Sequence, residues 1–279
     1  MRAGERSLRF TMTPQSLRCR MRHDRARLIA GLLAAATLSG VGDAPSPAAA
    51  APVRGPQCIV PPDLLRLDVS LQRTARRLAA GELIVIVALG SSSTAGAGAS
   101  SDAMSYPSRL AIELAQRFPS PPMTVLNRGV GGELAVDMLS RFDRSVAVEH
   151  PDLVIWQLGT NAILRGHERW PSSSLLRDGI ERMKTIGADV VLVDPQFAPK
   201  VIARPDVQEM VELISATARQ EHVGLFHRFA LMRHWRHVEA MPFEAFVSSD
   251  GLHMNDWSYG CFAKALAGAI ADGATRQNR

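Results

Sequence analysis

The chain has 279 residues, 46% of them hydrophobic and 21% charged, with a formal net charge of +5. That is a globular balance with enough apolar residues for one sizeable core, and the length allows one or two domains. The positive excess lies wholly in residues 1–51, where eight arginines face three acids (Glu5, Asp24, Asp43); residues 52–279 balance at zero, so charge gives no support to nucleic-acid binding.

Residues 1–51 read as a signal peptide. Arginines run to Arg27, an apolar stretch "LIAGLLAAATL" follows at 28–38, and "GDAPSPAAAAP" then offers small-residue cleavage sites. The apolar stretch is shorter than the roughly 20 residues of a membrane span. Met12 and Met21 are alternative starts, and an uncleaved anchor is the alternative to cleavage. The expected mature protein is soluble and exported, periplasmic or secreted, and begins near Ala51 or Pro52. Of three cysteines, Cys19 falls in the signal, leaving Cys58 and Cys261 near opposite ends of the mature chain. In an oxidising compartment they are expected to pair; two separate buried thiols are the alternative.

Residues 52–82 are expected to form an N-terminal helical segment, with an amphipathic helix over 63–80 that ends at Gly81. Residues 83–279 form one α/β domain. Short apolar runs recur at 82–90, 123–127, 153–159, 189–195 and 223–227, as strands buried on both faces require. Helical patterns fill the gaps at 104–118, 133–149, 173–187 and 206–221, and a last helix runs from about Trp257 to Asp272. The alternation predicts a flavodoxin-like three-layer α/β/α sandwich with a five-stranded parallel sheet. Ligands of such sheets sit beyond the carboxyl ends of the strands.

Those ends are polar. The first run is followed by "GSSST" (90–94), the second by "NRGVGGE" (127–133), the third by "GTNA" (159–162), and "DGLH" (250–253) precedes the last helix. A serine hydroxyl needs a base to accept its proton. His253 is placed to be that base, with Asp250 three residues earlier to orient it. An amide from "GVGG", the Asn161 side chain and the nucleophile's own amide are candidate donors to an oxyanion. Each segment alone reads as a helix cap, a turn or a positive-φ loop. Their order at successive strand ends is what points to catalysis.

These four blocks resemble those of the SGNH, or GDSL-type, serine hydrolases, over roughly residues 83–272. The resemblance implies that Ser92 is the nucleophile and that Asp250 and His253 complete a triad. It implies an oxyanion hole of the Ser92 amide, the Gly132 amide (Gly131 is the adjacent alternative) and Asn161, with no cofactor and no metal. The usual acid of the first block is Ser91 here, and that of the third is Ala162. The implied function is an exported serine esterase acting through an acyl-enzyme, with O-acetyl groups on a saccharide or lipid esters as substrate. A non-catalytic exported binding protein on the same scaffold is the alternative reading.

Other signals are weaker. "GSSSTAGAG" lacks both the Lys of a P-loop and a G-x-G-x-x-G, which argues against nucleotide binding. His227, His234 and His237 lie on a basic, partly exposed helix without carboxylates or thiols at ligand spacing, which argues against a metal site. Gln196, just after the fourth run, is the candidate substrate-binding residue. Trp156 is expected in the core.

Overall fold

The structure, a computed structural model, describes residues 56–276. The expected signal peptide, its alternative starts, Cys19 and the expected cleavage region all lie outside the described residues. In chain order the elements are α1 (Gln72–Ala80), β1 (Ile84–Gly90), α2 (Ser92–Ala95), α3 (Tyr106–Arg117), β2 (Met123–Gly129), α4 (Ala135–Ser140), α5 (Phe142–Ser145) and β3 (Leu153–Gln157). They continue with α6 (Thr160–Arg165), α7 (Ser173–Thr185), β4 (Asp189–Val193), α8 (Pro199–Ile202), α9 (Val207–Gln220), β5 (Gly224–Phe226), α10 (Arg228–His237) and α11 (Asp256–Thr275).

All five strands are parallel, in the order β2-β1-β3-β4-β5. The inner strands β1, β3 and β4 are almost wholly buried, because helices cover both faces and leave no polar side for alternation. Edge strand β2 is only half-buried and carries Thr124, Asn127 and Arg128. Helices α3 and α11 pack together, with α1 against α11, while α7 contacts both α4 and α9. The chain thus has three layers. The direction of winding reverses between β1 and β3, which opens a crevice beyond their carboxyl ends.

Helix α11 closes the core. It starts in a capping box in which the Asn255 side chain accepts from the Ser258 amide and the Ser258 hydroxyl accepts from the Asn255 amide. Of its 20 residues, 12 are buried, among them Phe262, Leu266 and Ile270, each contributing about 1.5–3 kcal/mol. A disulfide joins Cys261 of this helix to Cys58, with the Cα atoms 5.4 Å apart. Two indoles anchor the same N-terminal stretch: Trp235 Nε1 donates to the Ile59 carbonyl (3.0 Å) and Trp257 Nε1 to that of Pro56 (2.8 Å).

Two elements differ from the sequence expectation. The helix over 63–80 is a 3-10 turn at Pro62–Leu65, an extended stretch at Arg66, and then α1. Leu67 and Leu71 are buried by this bend, and the Leu71 amide donates to the Gly273 carbonyl of α11. The helix over 133–149 breaks at Arg141 into α4, α5 and a 3-10 turn. There the guanidinium turns inward to Glu133 and the Arg128 carbonyl, and the Ser145 hydroxyl takes up the Arg141 carbonyl. Helix α10 is partly exposed, as expected, with Arg228, Phe229, Leu231, Met232 and Trp235 buried.

Candidate active site

Strand β1 delivers its last residue, Gly90, to the crevice, and Ser92 follows as the first residue of the short helix α2. The Ser91 carbonyl accepts from the Thr94 and Ala95 amides (3.0 and 2.9 Å), which folds the serines into a tight turn. Ser91 and Ser93 are buried, whereas Ser92 is half-exposed. Of the three serines, only Ser92 has its hydroxyl on a histidine: His253 Nε2 lies 2.8 Å from Ser92 Oγ.

The His253 loop is shaped by its carboxylate. Asp250 Oδ1 accepts from the Ser248 hydroxyl (2.7 Å) and from the Leu252 and His253 amides (2.8 and 2.9 Å). Asp250 Oδ2 lies 2.5 Å from His253 Nδ1. Burial raises the carboxyl's affinity for a proton, but these hydrogen bonds outweigh it and hold Asp250 well below the usual carboxylate range. An ionised Asp250 can only accept, so Nδ1 carries the hydrogen and Nε2 presents a lone pair to the Ser92 hydroxyl. This chain of contacts can pass a proton from Ser92 to His253.

The other wall comes from β2 and β3. Gly132 has φ 81°, a left-handed conformation that favours glycine, whereas Gly131 has no positive φ. The Gly132 carbonyl accepts from Arg165 Nη2 (2.6 Å). Asn161, in the first turn of α6, donates one Nδ2 hydrogen to the Glu133 carbonyl (2.9 Å), which leaves its second for a ligand. The Glu133 carboxylate is gripped by the buried Arg141 at 2.6–2.9 Å, fixing the loop between them. Ala162 is buried and lines a small cavity with Ser91, Glu133, Met138 and Pro171.

A family model described as the Non-GDSL lipase-like family matches residues 57–276. The chain belongs to this family. No curated protein matches the sequence at a significant level. Among solved structures, a two-domain esterase (CEX) active on acetylated mannans superposes with a TM-score of 0.65 at 19% identity, over 76% of this chain and 56% of that one. This lipase-like chain therefore spans little more than half the length of that protein. A lipase/acylhydrolase from Enterococcus faecalis superposes with a TM-score of 0.54 at 22% identity (66% and 93% covered). The acetyl xylan esterase AlAXEase does so with a TM-score of 0.55 at 16% identity (66% and 98%). At these identities the likeness speaks for the fold.

Gln196 does not face an open pocket in this lipase-like fold. It is 1% exposed; its Oε1 accepts from Thr160 Oγ1 (2.7 Å) and Arg228 Nη2 (2.9 Å), and its Nε2 donates to the Leu252 carbonyl (3.3 Å). Those bonds tie the loop after β4 to the His253 loop. Trp156 is fully buried, with Nε1 on Met138 Sδ at 3.2 Å. The three histidines are dispersed: His234 contacts Glu239, His237 stacks edgewise on Phe197, and His227 Nδ1 lies 3.8 Å from Asp194. Among the described residues no histidine, cysteine and carboxylate side chains cluster to hold a metal, and no helix is long and apolar enough to cross a membrane.

A cleft of about 980 Å³ opens at the amino end of the sheet beside Arg73 and Asp189, away from Ser92 and His253. The hydrogen-bonded chain from Ser92 through His253 to Asp250 lies apart from this cleft. Sequence reasoning missed the supports of that chain: Ser248 on Asp250, Arg141 on Glu133, and Gln157 beneath the serines. Gln157 ends an otherwise apolar run, and no local pattern indicates its partners.

Proposed function

We propose that this enzyme is an exported serine esterase that removes short acyl groups from a saccharide or lipid, with O-acetyl saccharide the favoured class. Ser92 attacks the ester carbonyl carbon while His253 Nε2 takes its proton. Asp250 holds the ring in the right tautomer and stabilises the imidazolium. The oxyanion is bound by the Ser92 and Gly132 amides and the free Nδ2 hydrogen of Asn161. His253 then gives its proton to the departing alkoxide, leaving acyl-Ser92 and a free alcohol. Water attacks the acyl-enzyme by the same route, releasing the carboxylic acid and restoring Ser92.

The observation that carries this reading is the continuous contact from Ser92 through His253 to Asp250. The acetylated substrates named for two structural relatives favour the saccharide class. Export is supported by the pattern of residues 1–51 and by a disulfide, which persists in oxidising compartments.

A fluorophosphonate label followed by peptide mapping tests the mechanism. The expected product is a single adduct on Ser92, lost in Ser92→Ala together with hydrolysis of a short acyl ester. An adduct on Ser91 or Ser93, or full activity in Ser92→Ala, overturns it.

A further inference from the structure

Strand β3 runs Leu153, Val154, Ile155, Trp156 and then Gln157, all of them buried. Gln157 is 0% exposed, and its Nε2 has no hydrogen-bond partner among the described residues. A buried amide with an orphaned donor costs free energy that an apolar residue would avoid. Continuation of the strand therefore does not account for Gln157.

Its oxygen does. Oε1 accepts from the Ser91 amide (3.0 Å), the Ser91 hydroxyl (3.2 Å) and the Thr94 hydroxyl (3.2 Å). Ser91 and Thr94 bracket Ser92, and β1 and β3 are adjacent strands, paired up to Leu89 and Trp156. A backbone N–H can only donate, so the atom facing Ser91 must be the oxygen, and the amide cannot flip to satisfy Nε2. Thr94 Oγ1 in turn lies 3.2 Å from the Tyr106 hydroxyl. Burial pushes the Tyr106 phenol up to about 12, so it stays protonated and able to donate to Thr94.

We infer that Gln157 is a positioning residue for the nucleophile, its carbonyl clamping the turn on both sides of Ser92 so that the Ser92 hydroxyl meets His253. The inference rests on the serine-esterase reading above. A neutral acceptor suits the place: it holds the turn without setting a negative charge beside the oxyanion that forms on the substrate. It also supplies what the short helix α2 lacks, since no side chain caps it.

The test uses Gln157→Met, which removes the acceptor and keeps an unbranched side chain. It also uses Gln157→Glu, which keeps the acceptor and is neutral like the amide while protonated. The readouts are kcat and KM for a short acyl ester, the rate of fluorophosphonate labelling at Ser92, and thermal unfolding. In Gln157→Met, kcat and labelling are expected to fall about 100-fold, as for a reacting group moved by about 1 Å, with KM changed by less than about threefold. In Gln157→Glu at about pH 5.5, where a buried carboxyl remains protonated, labelling is expected within about tenfold of the parent and to fall as it ionises. The proposal is overturned if Gln157→Met keeps kcat within about threefold of the parent, or if folded Gln157→Glu at that pH is slowed about 100-fold. If Gln157→Met does not fold, the Glu variant decides. A parent that takes no label at Ser92 is a different outcome, since it refutes the esterase mechanism itself.

Discussion

Gly98 lies in the loop after α2 and packs against the loop that carries His253. Its φ is 87°, and a Cβ built there would lie 2.4 Å from the Met254 carbonyl oxygen and 2.8 Å from His253 Cβ. The first contact is about 1 Å shorter than ordinary van der Waals contact, and it is made to backbone, which cannot swing aside as a long side chain would. Gly98→Ala should therefore push His253 away from Ser92 by a substantial part of an ångström. The left-handed φ adds roughly 1–2 kcal/mol of strain for a residue with a Cβ. A misplacement of that order costs about 100-fold in a reaction that depends on positioning, so kcat should fall by about that factor while the fold persists. The assay is steady-state hydrolysis of a short acyl ester, with circular dichroism and thermal unfolding to establish that the variant is folded. Should a folded Gly98→Ala keep kcat within about threefold of the parent, the claim that this contact sets the Ser92–His253 distance is wrong.

Other outcomes follow from the same geometry. Asn161→Ala removes one oxyanion donor and its bond to the Glu133 carbonyl, and should lower kcat by roughly 10²–10³; full activity would remove Asn161 from the oxyanion hole. The disulfide spans 203 residues, so the Cys58→Ser, Cys261→Ser double variant should lose up to about 5 kcal/mol in the chain-entropy model. Guanidinium unfolding that gave the variant and the oxidised parent equal stability would contradict this. Asp250 has a folded pKa held below its unfolded value of about 3.9, so the stability it lends is complete above that pH and is lost only as pH falls below it. The stability gap between the parent and Asp250→Asn should accordingly stay constant from about pH 7 to 5; a gap that closes within this window would show that the carboxyl is not depressed.

The strands and most of the helices were legible because they depend on local pattern. Helices α3, α7 and α9 begin and end within two residues of their expected bounds, and all five apolar runs are strands. The expectation failed where a polar side chain inside a periodic stretch found a distant partner. Arg141 fits the helical pattern of 133–149, yet a buried ion pair with Glu133 and a bond to the Arg128 carbonyl are available only by breaking that helix. Gln196 is polar and follows a strand, as a pocket residue would, but Thr160, Arg228 and the Leu252 carbonyl converge on it from three other segments.

The sequence by itself determined the fold class and the family and singled out Ser92, Asn161, Asp250 and His253 as candidates, because those follow from short patterns and their order. Only the tertiary structure decided how the residues are held. The strand order β2-β1-β3-β4-β5 sets the ends of β1 and β3 side by side, and that adjacency delivers the Gln157 carbonyl to the turn around Ser92. The replacement of the usual acid by Ser91 becomes intelligible there: its amide and hydroxyl both turn inward to Gln157. Contacts of this kind join residues 66 positions apart, beyond the reach of any local pattern.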